Sequence, residues 1–525
     1  MASGVQLTRG SPNVFRRFAG VVTSVSDSRP ATNVVWNLLG GLWAGVLVVI
    51  ATPWYVDRLG IEGYGIVGVW LVLQGMMGLL DVGMGVTVIK AFASASADRD
   101  GRAYRRDVLR TLESLYWGTA LAFALGLFVA ADWIGRRWLH STVLAPHELV
   151  SALRVMALAL GLQFPVTLYS NGFAGIQEHG RMNALQVVGN TMRYGGGAAV
   201  LFWTPHVLPF FIVQATVAAV QTLLTRHGLQ GRLSVDGEPS ATVRFALLKP
   251  LWVYSAGMAV SSFAAVFMSN SDRLVLSAMS TTAELGKYSV AFTASGLLQL
   301  AIQPFYRAFF PRYSELVAAG SVDALQREYF RSCQLMAMFI VPIGVVGSVY
   351  APELISVWLG AADATVANVF RWLLIGIMCA GLMWLPAALQ QAHGWTGLHS
   401  SLLAGALLAG VPLMPWCLKT FGTAGATVVW LLHGTSGLTL GLWLMHRRLL
   451  PGRLFAWYRT VLLKPMLASL AITLLSRVFL PESLGRMPMF AWVCATGLLI
   501  LAFLLPPLLS GRGNPATHSL EDRAE

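Results

Sequence analysis

One apolar stretch in the first half of the chain carries a row of polar residues on a single predicted helix face. The row consists of Asn183, Gln186, Asn190, Arg193 and Gly197. Their spacing by alternating steps of three and four residues places them on one side of an α-helix. A guanidinium group beside several amides could bind a ligand that carries both negative charge and hydroxyl groups.

Arg193 is the charged member of this row, and a charge inside a membrane span has a high free-energy cost. It lies about ten residues into the apolar stretch 183–204, or roughly 15 Å deep at about 1.5 Å per residue. A charge at that depth costs about 2.5 to 3.5 kcal/mol, so Arg193 should face a polar cavity or a partner rather than lipid. We favour the cavity; the alternative is a structural arginine paired with a neighbouring helix, such as that of Asp81.

The second apolar stretch carries a similar row, formed by Trp70, Gln74 and Asp81. Asp81 lies toward the predicted cytoplasmic end of its span. Two roles fit this position equally well. The carboxylate could cap or pair helices, or it could couple a proton or a substrate to movement within the protein.

The seventh apolar stretch contains Ser269-Asn270-Ser271 followed by Asp272-Arg273. A run of small polar residues is a place where a helix could bend, and bent helices between repeats are favoured positions for binding sites. The alternative is an ordinary helix whose last charged pair lies at the outer interface, where long side chains reach the headgroups. We lean toward a binding role.

The eighth stretch adds two polar residues near its predicted inner end, Gln303 and Arg307. Arg307 could bind a ligand, or it could anchor the helix at the cytoplasmic interface. The sequence gives these two roles equal support.

The chemistry of these side chains favours an anionic substrate that bears sugars. Arginine offers a fork of donors suited to phosphate oxygens and stays charged at any working pH, and amides suit sugar hydroxyls. Asp81 and Asp272 are the obvious acidic residues in the spans. A cation exporter would be expected to carry more.

About fourteen apolar stretches, each long enough to cross a bilayer, must position these residues. The chain has 525 residues, of which 56% are hydrophobic and 12% charged, whereas a soluble chain has about 25% charged residues. Most of its 37 Lys and Arg residues fall in alternate connectors. This asymmetry is the positive-inside pattern and predicts a multi-pass membrane protein with both termini in the cytoplasm.

The stretches divide into two predicted six-helix lobes related by a pseudo-two-fold axis along the membrane normal, followed by two C-terminal helices. Asp57-Arg58 before Gly63-Tyr64 and Asp272-Arg273 before Gly286-Lys287-Tyr288 are a faint internal similarity in support. The predicted fold is therefore an all-α integral membrane protein. Its predicted parts are a polar cytoplasmic tail (1–32), an N-lobe (33–225), a cytoplasmic linker (226–249), a C-lobe (250–446), a helical hairpin (447–509) and a second cytoplasmic tail (510–525).

Several other classes of site are disfavoured by the sequence. The four cysteines, at positions 333, 379, 417 and 494, lie in apolar segments without metal-binding spacing, which indicates buried inert thiols. No metal site or cofactor is expected. The net charge of +13 is mostly loop arginine that faces anionic lipid, so nucleic acid is not an expected partner. The first apolar run is too long for a cleavable signal peptide.

Short motifs in both predicted lobes resemble a known family. In the first lobe these are Leu59-Gly60-Ile61-Glu62-Gly63-Tyr64-Gly65 and Leu79-Leu80-Asp81-Val82-Gly83; in the second lobe they are Ser271-Asp272-Arg273-Leu274-Val275-Leu276-Ser277 and Gly286-Lys287-Tyr288. The chain is similar in these motifs to bacterial polysaccharide flippases of the Wzx type. Those flippases belong to the multidrug/oligosaccharidyl-lipid/polysaccharide (MOP) exporter superfamily.

The resemblance implies a flippase, not an enzyme, for undecaprenyl-diphosphate-linked oligosaccharide in the bacterial inner membrane. It implies two lobes around a cationic cavity, alternating access, and a C-terminal hairpin (461–480 and 487–509) that helps to hold the lipid tail. On this basis we expect Arg193 and Arg273 to hold the diphosphate. Sugar contacts are expected from Asn183, Gln186, Asn190 and Gln303, with Arg307 as a further binding residue and with Asp81, Asp272 and Gln74 as coupling or structural residues.

Membrane lipid is a further expected partner, and a polysaccharide polymerase and a chain-length regulator are consistent with the resemblance. Two competing functions remain open. One is a multidrug or cation exporter of the same superfamily. The other is a membrane enzyme such as a polyprenyl-linked glycosyltransferase or polymerase, for which Asp57 and Glu62 in the first outward loop are the one supporting feature.

Overall fold

A computed structural model describes residues 29–81, 84–95, 99–233, 241–481 and 484–509 of the chain. Most of the predicted tail 1–32, the tail 510–525 and residues 234–240 of the predicted linker lie outside the described residues. Nearly all of the described residues are helical.

Seven helices make up the first half. They are α1 (Arg29–Leu80), α2 (Met84–Ser94), α3 (Arg99–Trp133, continued by a π-helical turn Ile134–Trp138), α4 (Pro146–Gln163), α5 (Pro165–Gly175), α6 (His179–Trp203) and α7 (Val207–Leu233). Residues 226–233 of the predicted linker are therefore the end of α7.

Twelve helices make up the second half. They are α8 (Leu248–Met279), α9 (Thr282–Ala318), α10 (Val322–Val349), α11 (Ala351–Leu359), α12 (Ala364–Leu382), α13 (Trp384–Ala392), α14 (Gly397–Phe421), α15 (Val428–Ser436), α16 (Leu442–Leu449), α17 (Leu454–Trp457), α18 (Lys464–Val478) and α19 (Arg486–Leu509). Short 3₁₀ or π-helical turns join several of them.

The described residues contain nine helical segments that are long and apolar enough to cross a membrane. Two of these segments hold two spans each, because α1 breaks at Gly60 and the segment Gly397–Leu449 breaks at Gly422. The more polar helices α6, α8 and α9 have 25, 32 and 37 residues, which is also enough to cross. The structure thus agrees with the predicted all-α membrane fold of about fourteen spans.

Local sequence sets the main breaks between spans. Gly60 has a φ of 70°, a conformation that L side chains rarely adopt, and it reverses the chain between the two halves of α1. Pro165 restarts the helix after Gln163 because its ring fits the first helical turn. Thr281 caps α9, where its hydroxyl accepts from the backbone N–H of Glu284 at 3.3 Å.

We keep the predicted names N-lobe for helices α1 to α7 and C-lobe for α8 to α16. Helices α18 and α19 pack against α10. We call the side at which Gly60 and Thr281 lie the predicted outer side. The opposite side, where α1 begins, is the predicted cytoplasmic side.

The two lobes meet closely at the predicted outer side, where α1 crosses α9. A Cβ atom added to Gly286 would lie 2.0 Å from the backbone oxygen of Ile61, and one added to Gly65 would lie 2.0 Å from that of Thr282. Beside this crossing, the backbone N–H of Thr282 donates to the carbonyl of His140 at 2.9 Å. The backbones of α1 and α9 touch at this crossing, so Gly65 and Gly286 leave no room for a side chain. We call this contact the outer seam.

Gly286→Ala should therefore destabilise the protein, although alanine is the better helix former. The added methyl group must force α1 and α9 apart, and overpacking of this kind costs about 1 to 3 kcal/mol. The apparent melting temperature of the purified protein in detergent measures the loss.

Gly296→Ala is the matched control, since Gly296 lies on the same helix with nothing within 4 Å of an added Cβ. It should leave the melting temperature unchanged or raise it. Equal melting temperatures for the two variants would show that the seam tolerates a side chain.

Candidate functional site

Arg193 lies inside the N-lobe and is held by side chains from two neighbouring helices. Its Nη1 donates to Oε1 of Gln163 at 2.8 Å and its Nη2 to Oε1 of Gln221 at 3.1 Å. The residue is only 7% exposed. Helix α6 therefore presents the guanidinium group to the end of α4 and to the middle of α7 within the bundle.

The charge of Arg193 is unusual because both of these hydrogen-bond partners are neutral amides. Its Nε atom is buried without a hydrogen-bond partner among the described residues. A buried cation that is hydrogen-bonded but not neutralised keeps a strong attraction for an anion, because the low-dielectric surroundings screen it weakly. The arrangement can therefore receive negative charge.

The other members of the predicted row have different surroundings. Asn183 is buried, donates from Nδ2 to the carbonyl of His179 in its own helix at 2.8 Å, and packs against Gly40 of α1. Gln186 and Asn190 lie between Asn183 and Arg193 along α6, and both are half-buried. Their amides lie on the same helix face as Arg193.

Arg273 lies at the boundary between the lobes rather than inside the N-lobe. Its Nη2 donates to Oδ1 of Asn270 at 2.9 Å, and its guanidinium carbon lies 4.1 Å from the ring centroid of Phe292 on α9. Asn270 in turn packs against Gly75 of α1. Arg273 is 5% exposed, and its Nε has no hydrogen-bond partner among the described residues.

Asp272, the neighbour of Arg273, points into the C-lobe core. It is fully buried and accepts three hydrogen bonds, from the hydroxyl of Tyr288 at 2.6 Å, the indole N–H of Trp430 at 2.9 Å and the backbone N–H of Arg273 at 2.7 Å. These donors come from three elements. Asp272 thereby fixes the part of α8 from which Arg273 projects.

Gln303 and Arg307 continue the face of α9 that touches the N-lobe. Along that face Gly286 meets Ile61, Thr293 meets Tyr64 and Leu300 meets Gly45, and Arg307 follows at the same heptad interval. Residues seven apart share a helix face. In the structure Arg307 and Gln303 are both exposed, and Nη2 of Arg307 donates to Oε1 of Gln303 at 3.4 Å.

Gln74 lies on the second half of α1 and Asp81 directly follows that helix; neither hydrogen-bonds to either arginine among the described contacts. Asp81 accepts from the hydroxyl of Tyr116 on α3 and, at 3.1 Å, from the backbone N–H of Gly85 in the first turn of α2. It thus caps α2 and pairs α1 with α3. Gln74 is half-buried one residue before Gly75, which Asn270 contacts.

The structure therefore separates the two candidate arginines. The described hydrogen bonds of Arg193 go to the N-lobe and those of Arg273 to the C-lobe. Tyrosines fill the region between them: Tyr55 donates to the carbonyl of Tyr194, the residue after Arg193, and Tyr64 bonds to Thr293, the residue after Phe292. A ligand that bound both arginines would lie beside these rings.

Three glutamines of the site were missed by the sequence reasoning: Gln163, Gln214 and Gln221. Gln214 and Gln221 are seven residues apart on α7, so both face α6, and Nε2 of Gln214 donates to the carbonyl of Arg193 at 3.3 Å. That heptad spacing is the signal that could have identified them. Gln163 offers no such signal, because its contact with Arg193 joins separate helices.

Comparisons with known proteins agree with this architecture. A family model described as polysaccharide biosynthesis protein matches residues 31–317. A Shigella flexneri protein described as a "putative O-antigen transporter" is 23% identical over 418 residues, which cover 79% of this chain and 97% of that protein. The membrane protein EpsK of Bacillus subtilis (strain 168) is 20% identical over 357 residues, covering 67% of this chain and 69% of EpsK.

Two solved structures share the fold. The lipid II flippase MurJ in an inward closed conformation superposes with a TM-score of 0.68 at 9% identity, covering 90% of this chain and 98% of MurJ. An inward-facing multidrug resistance transporter of the MATE family in the MOP superfamily gives a TM-score of 0.64 at 14% identity, covering 79% of this chain and 96% of that one. These likenesses confirm the predicted fold.

The network around Asp272 generates a stability prediction. Tyr288→Phe removes one of three donors to a buried carboxylate and should lower the free energy of unfolding by about 1 to 3 kcal/mol. Asp272→Asn should cost more, because its amide hydrogens would face the remaining donors. Apparent melting temperatures in detergent measure both effects.

Tyr306→Phe is the matched control. The Tyr306 hydroxyl also donates one hydrogen bond, at 2.7 Å, but its acceptor is the neutral amide oxygen of Gln391 and the site is only half-buried. The control should lower the free energy of unfolding by less than Tyr288→Phe does. An equal or larger loss at Tyr306 would contradict the importance assigned to the Asp272 carboxylate.

Proposed function

The chain belongs to the polysaccharide biosynthesis protein family, and from that premise we propose that it flips undecaprenyl-diphosphate-linked oligosaccharide across a bacterial inner membrane. The family and the relatives indicate a flippase-type transporter of O-antigen or related polysaccharide, not an enzyme. The lipid-linked form of the substrate, its movement from the inner to the outer leaflet and the alternating exposure of the site belong to the proposal.

The observation that carries the proposal is the buried, uncompensated guanidinium group of Arg193. A diphosphate has acceptor oxygens that match the arginine fork, and its negative charge balances a cation held by two neutral amides. Arg273 is a second buried guanidinium group, at the boundary of the lobes, although its Nε lies 4.0 Å from Oδ1 of Asp272, which balances part of its charge. The two lie in different lobes, so a diphosphate that engages both is bound where the lobes meet.

Roles for the remaining polar residues follow from their positions. Gln186 and Asn190 are half-buried on the face of Arg193, and Gln303 is exposed between the lobes, so these amides are placed to contact sugar hydroxyls. Arg307 lies beside Gln303 and would meet the headgroup on the predicted cytoplasmic side. Asn183 lies about one helical turn before Gln186, nearer the start of α6.

The three other residues of the predicted site support the binding groups. Asp81 and Asp272 accept hydrogen bonds from side chains and backbone that build the lobes, which favours structural roles for both. Gln74 lies next to the contact between Gly75 and Asn270.

The positive-inside pattern supports an orientation with both termini in the cytoplasm. With the outer seam closed, the site would open toward the cytoplasm and toward newly made lipid-linked units. Rocking of the lobes about the bound headgroup would open the seam, while the prenyl tail stays in lipid and the hairpin α18–α19 helps to hold it. A polysaccharide polymerase and a chain-length regulator would act on the product.

A multidrug or cation exporter is the competing function, and the likeness to a MATE transporter extends to the fold alone. Cation export requires carboxylates available to the substrate. Asp81 and Asp272 are both engaged by donors within their own lobes. A flippase for an anionic headgroup therefore fits the site better.

Replacing Gln221 by glutamate tests the role of the unneutralised charge. A carboxylate 3.1 Å from Nη2 of Arg193 would supply the missing counter-charge, so Gln221→Glu should be at least as stable as the parent. It should lower flipping about tenfold or more, since about 1.4 kcal/mol of lost anion affinity is a tenfold effect. The assay follows a short undecaprenyl-diphosphate oligosaccharide in proteoliposomes through its accessibility to an external sugar-modifying enzyme.

Gln221→Met is the control, because it removes the acceptor without adding charge. We expect Gln221→Met to be less stable than Gln221→Glu but to flip the substrate faster. If Arg193 had a purely structural role, the more stable variant would also be the more active one. Arg193→Ala should abolish flipping in folded protein. Near-normal flipping by Arg193→Ala or Gln221→Glu would remove Arg193 from the site.

The membrane potential should accelerate flipping. Moving a headgroup of about −2 charge outward runs with an inside-negative potential, which contributes about 2.3 kcal/mol per charge per 100 mV. Collapsing the potential with valinomycin and potassium in the same proteoliposomes should slow flipping. A rate that does not change would show that the charge of the site moves together with the headgroup.

A further inference from the structure

A hydrogen bond from a tryptophan joins the C-lobe to the first half of α1, away from the outer seam. The indole N–H of Trp358 donates to the backbone oxygen of Val49 at 2.9 Å. The two residues are 309 positions apart in the chain and belong to different lobes. The acceptor is a helix carbonyl, which would normally be occupied by its own helix.

The sequence explains why this carbonyl is available. Pro53 lies inside α1, four residues after Val49. Proline has no backbone N–H, so the carbonyl of the residue four positions earlier loses its helical donor. In the hydrocarbon region an unpaired carbonyl is costly, and a donor from another helix replaces the missing one. Trp358 is that donor.

Trp358 is carried by α11, a nine-residue helix that is attached to the C-terminal hairpin. Nη2 of Arg477, at the end of α18, lies 3.0 Å from Oε1 of Glu353, and its Nη1 donates to the carbonyl of Val349 at 2.9 Å. At the other end of α11, Arg486 of α19 donates to the carbonyl of Gly360. Both ends of α11 are therefore fixed to the hairpin.

These contacts form a continuous connection from α18 and α19 through α11 to α1. The hairpin packs against α10 of the C-lobe, and α1 belongs to the N-lobe. Any movement that separates α1 from the C-lobe must break the bond between Trp358 and Val49 or pull α11 away from the hairpin. The hydrogen bond between Trp358 and Val49 is weaker than the attachment of α11 to the hairpin, because that attachment consists of several hydrogen bonds and an ion pair.

We propose that Trp358 and the carbonyl freed by Pro53 form a latch that holds α1 against the C-lobe and releases when the lobes separate. The latch couples the position of the hairpin to that of α1, so a change in the hairpin is transmitted to the N-lobe without passing through the outer seam. Pro53 thus has a defined role, since it frees the carbonyl that accepts the hydrogen bond.

The test measures the distance between the lobes on the predicted outer side. Spin labels at Asp57→Cys and Ala361→Cys report on the N-lobe and the C-lobe, because both positions are exposed. The exposed native thiol at position 494 is removed by Cys494→Ser. Electron–electron double resonance on the full chain in nanodiscs then gives the distance distribution without any substrate, so the result does not depend on the cargo.

Trp358→Phe keeps the aromatic ring but removes the donor, and it should raise the population with longer distances about two- to tenfold. Pro53→Ala restores a helical donor for Val49 and should raise the same population. In the Pro53→Ala background, Trp358→Phe should then have little further effect, because the acceptor is already occupied.

Trp54→Phe is the matched control. Its indole N–H also donates to a helix carbonyl, that of Ala198 at 3.1 Å, but both residues belong to the N-lobe. The control should leave the distance distribution unchanged. The latch would be ruled out by an unchanged distribution in Trp358→Phe, by an equal shift in Trp54→Phe, or by an undiminished effect of Trp358→Phe in the Pro53→Ala background. Should Trp358→Phe not yield folded protein, an unchanged distribution in Pro53→Ala alone overturns the proposal.

Discussion

Inside the hydrocarbon layer a charged side chain has no water to bind, so the protein itself must hold every arginine that lies there. Arg193 shows how this constraint can be met without cancelling the charge. Two glutamine oxygens satisfy its outer nitrogens, yet neither glutamine carries a negative charge. Helices α4, α6 and α7 therefore pack around a cation whose hydrogen-bond partners carry no charge.

The same constraint explains the position of the carboxylates. Asp272 is fully buried, and donors from its own backbone, α9 and α15 surround it, so its charge strengthens the C-lobe core. Arg273 projects from the same turn toward the lobe boundary. Adjacent residues on a helix point about 100° apart, which lets one dipeptide place a structural carboxylate in the C-lobe core and a buried guanidinium group at the lobe boundary.

Two features of the backbone join α1 to the C-lobe. At the outer seam Gly65 and Gly286 bring α1 and α9 into direct backbone contact, which gives a tight closure with no side chains to rearrange. Lower on α1, Pro53 removes one helical hydrogen bond and leaves a carbonyl for Trp358 of the other lobe. Both contacts join the lobes through α1, so this helix is central to any change between closed and open states.

The sequence by itself determined the membrane fold, because apolar length and the bias of basic residues are local properties that the bilayer imposes directly. It also determined the helix face shared by Asn183 and Arg193, since helical periodicity is local. Only the tertiary structure decided that Gln163 and Gln221 hold Arg193, that Asp272 turns away from the lobe boundary, and that Trp358 reaches Val49. These contacts join residues far apart in the chain, and their geometry depends on how separate helices pack, which no spacing within one helix encodes.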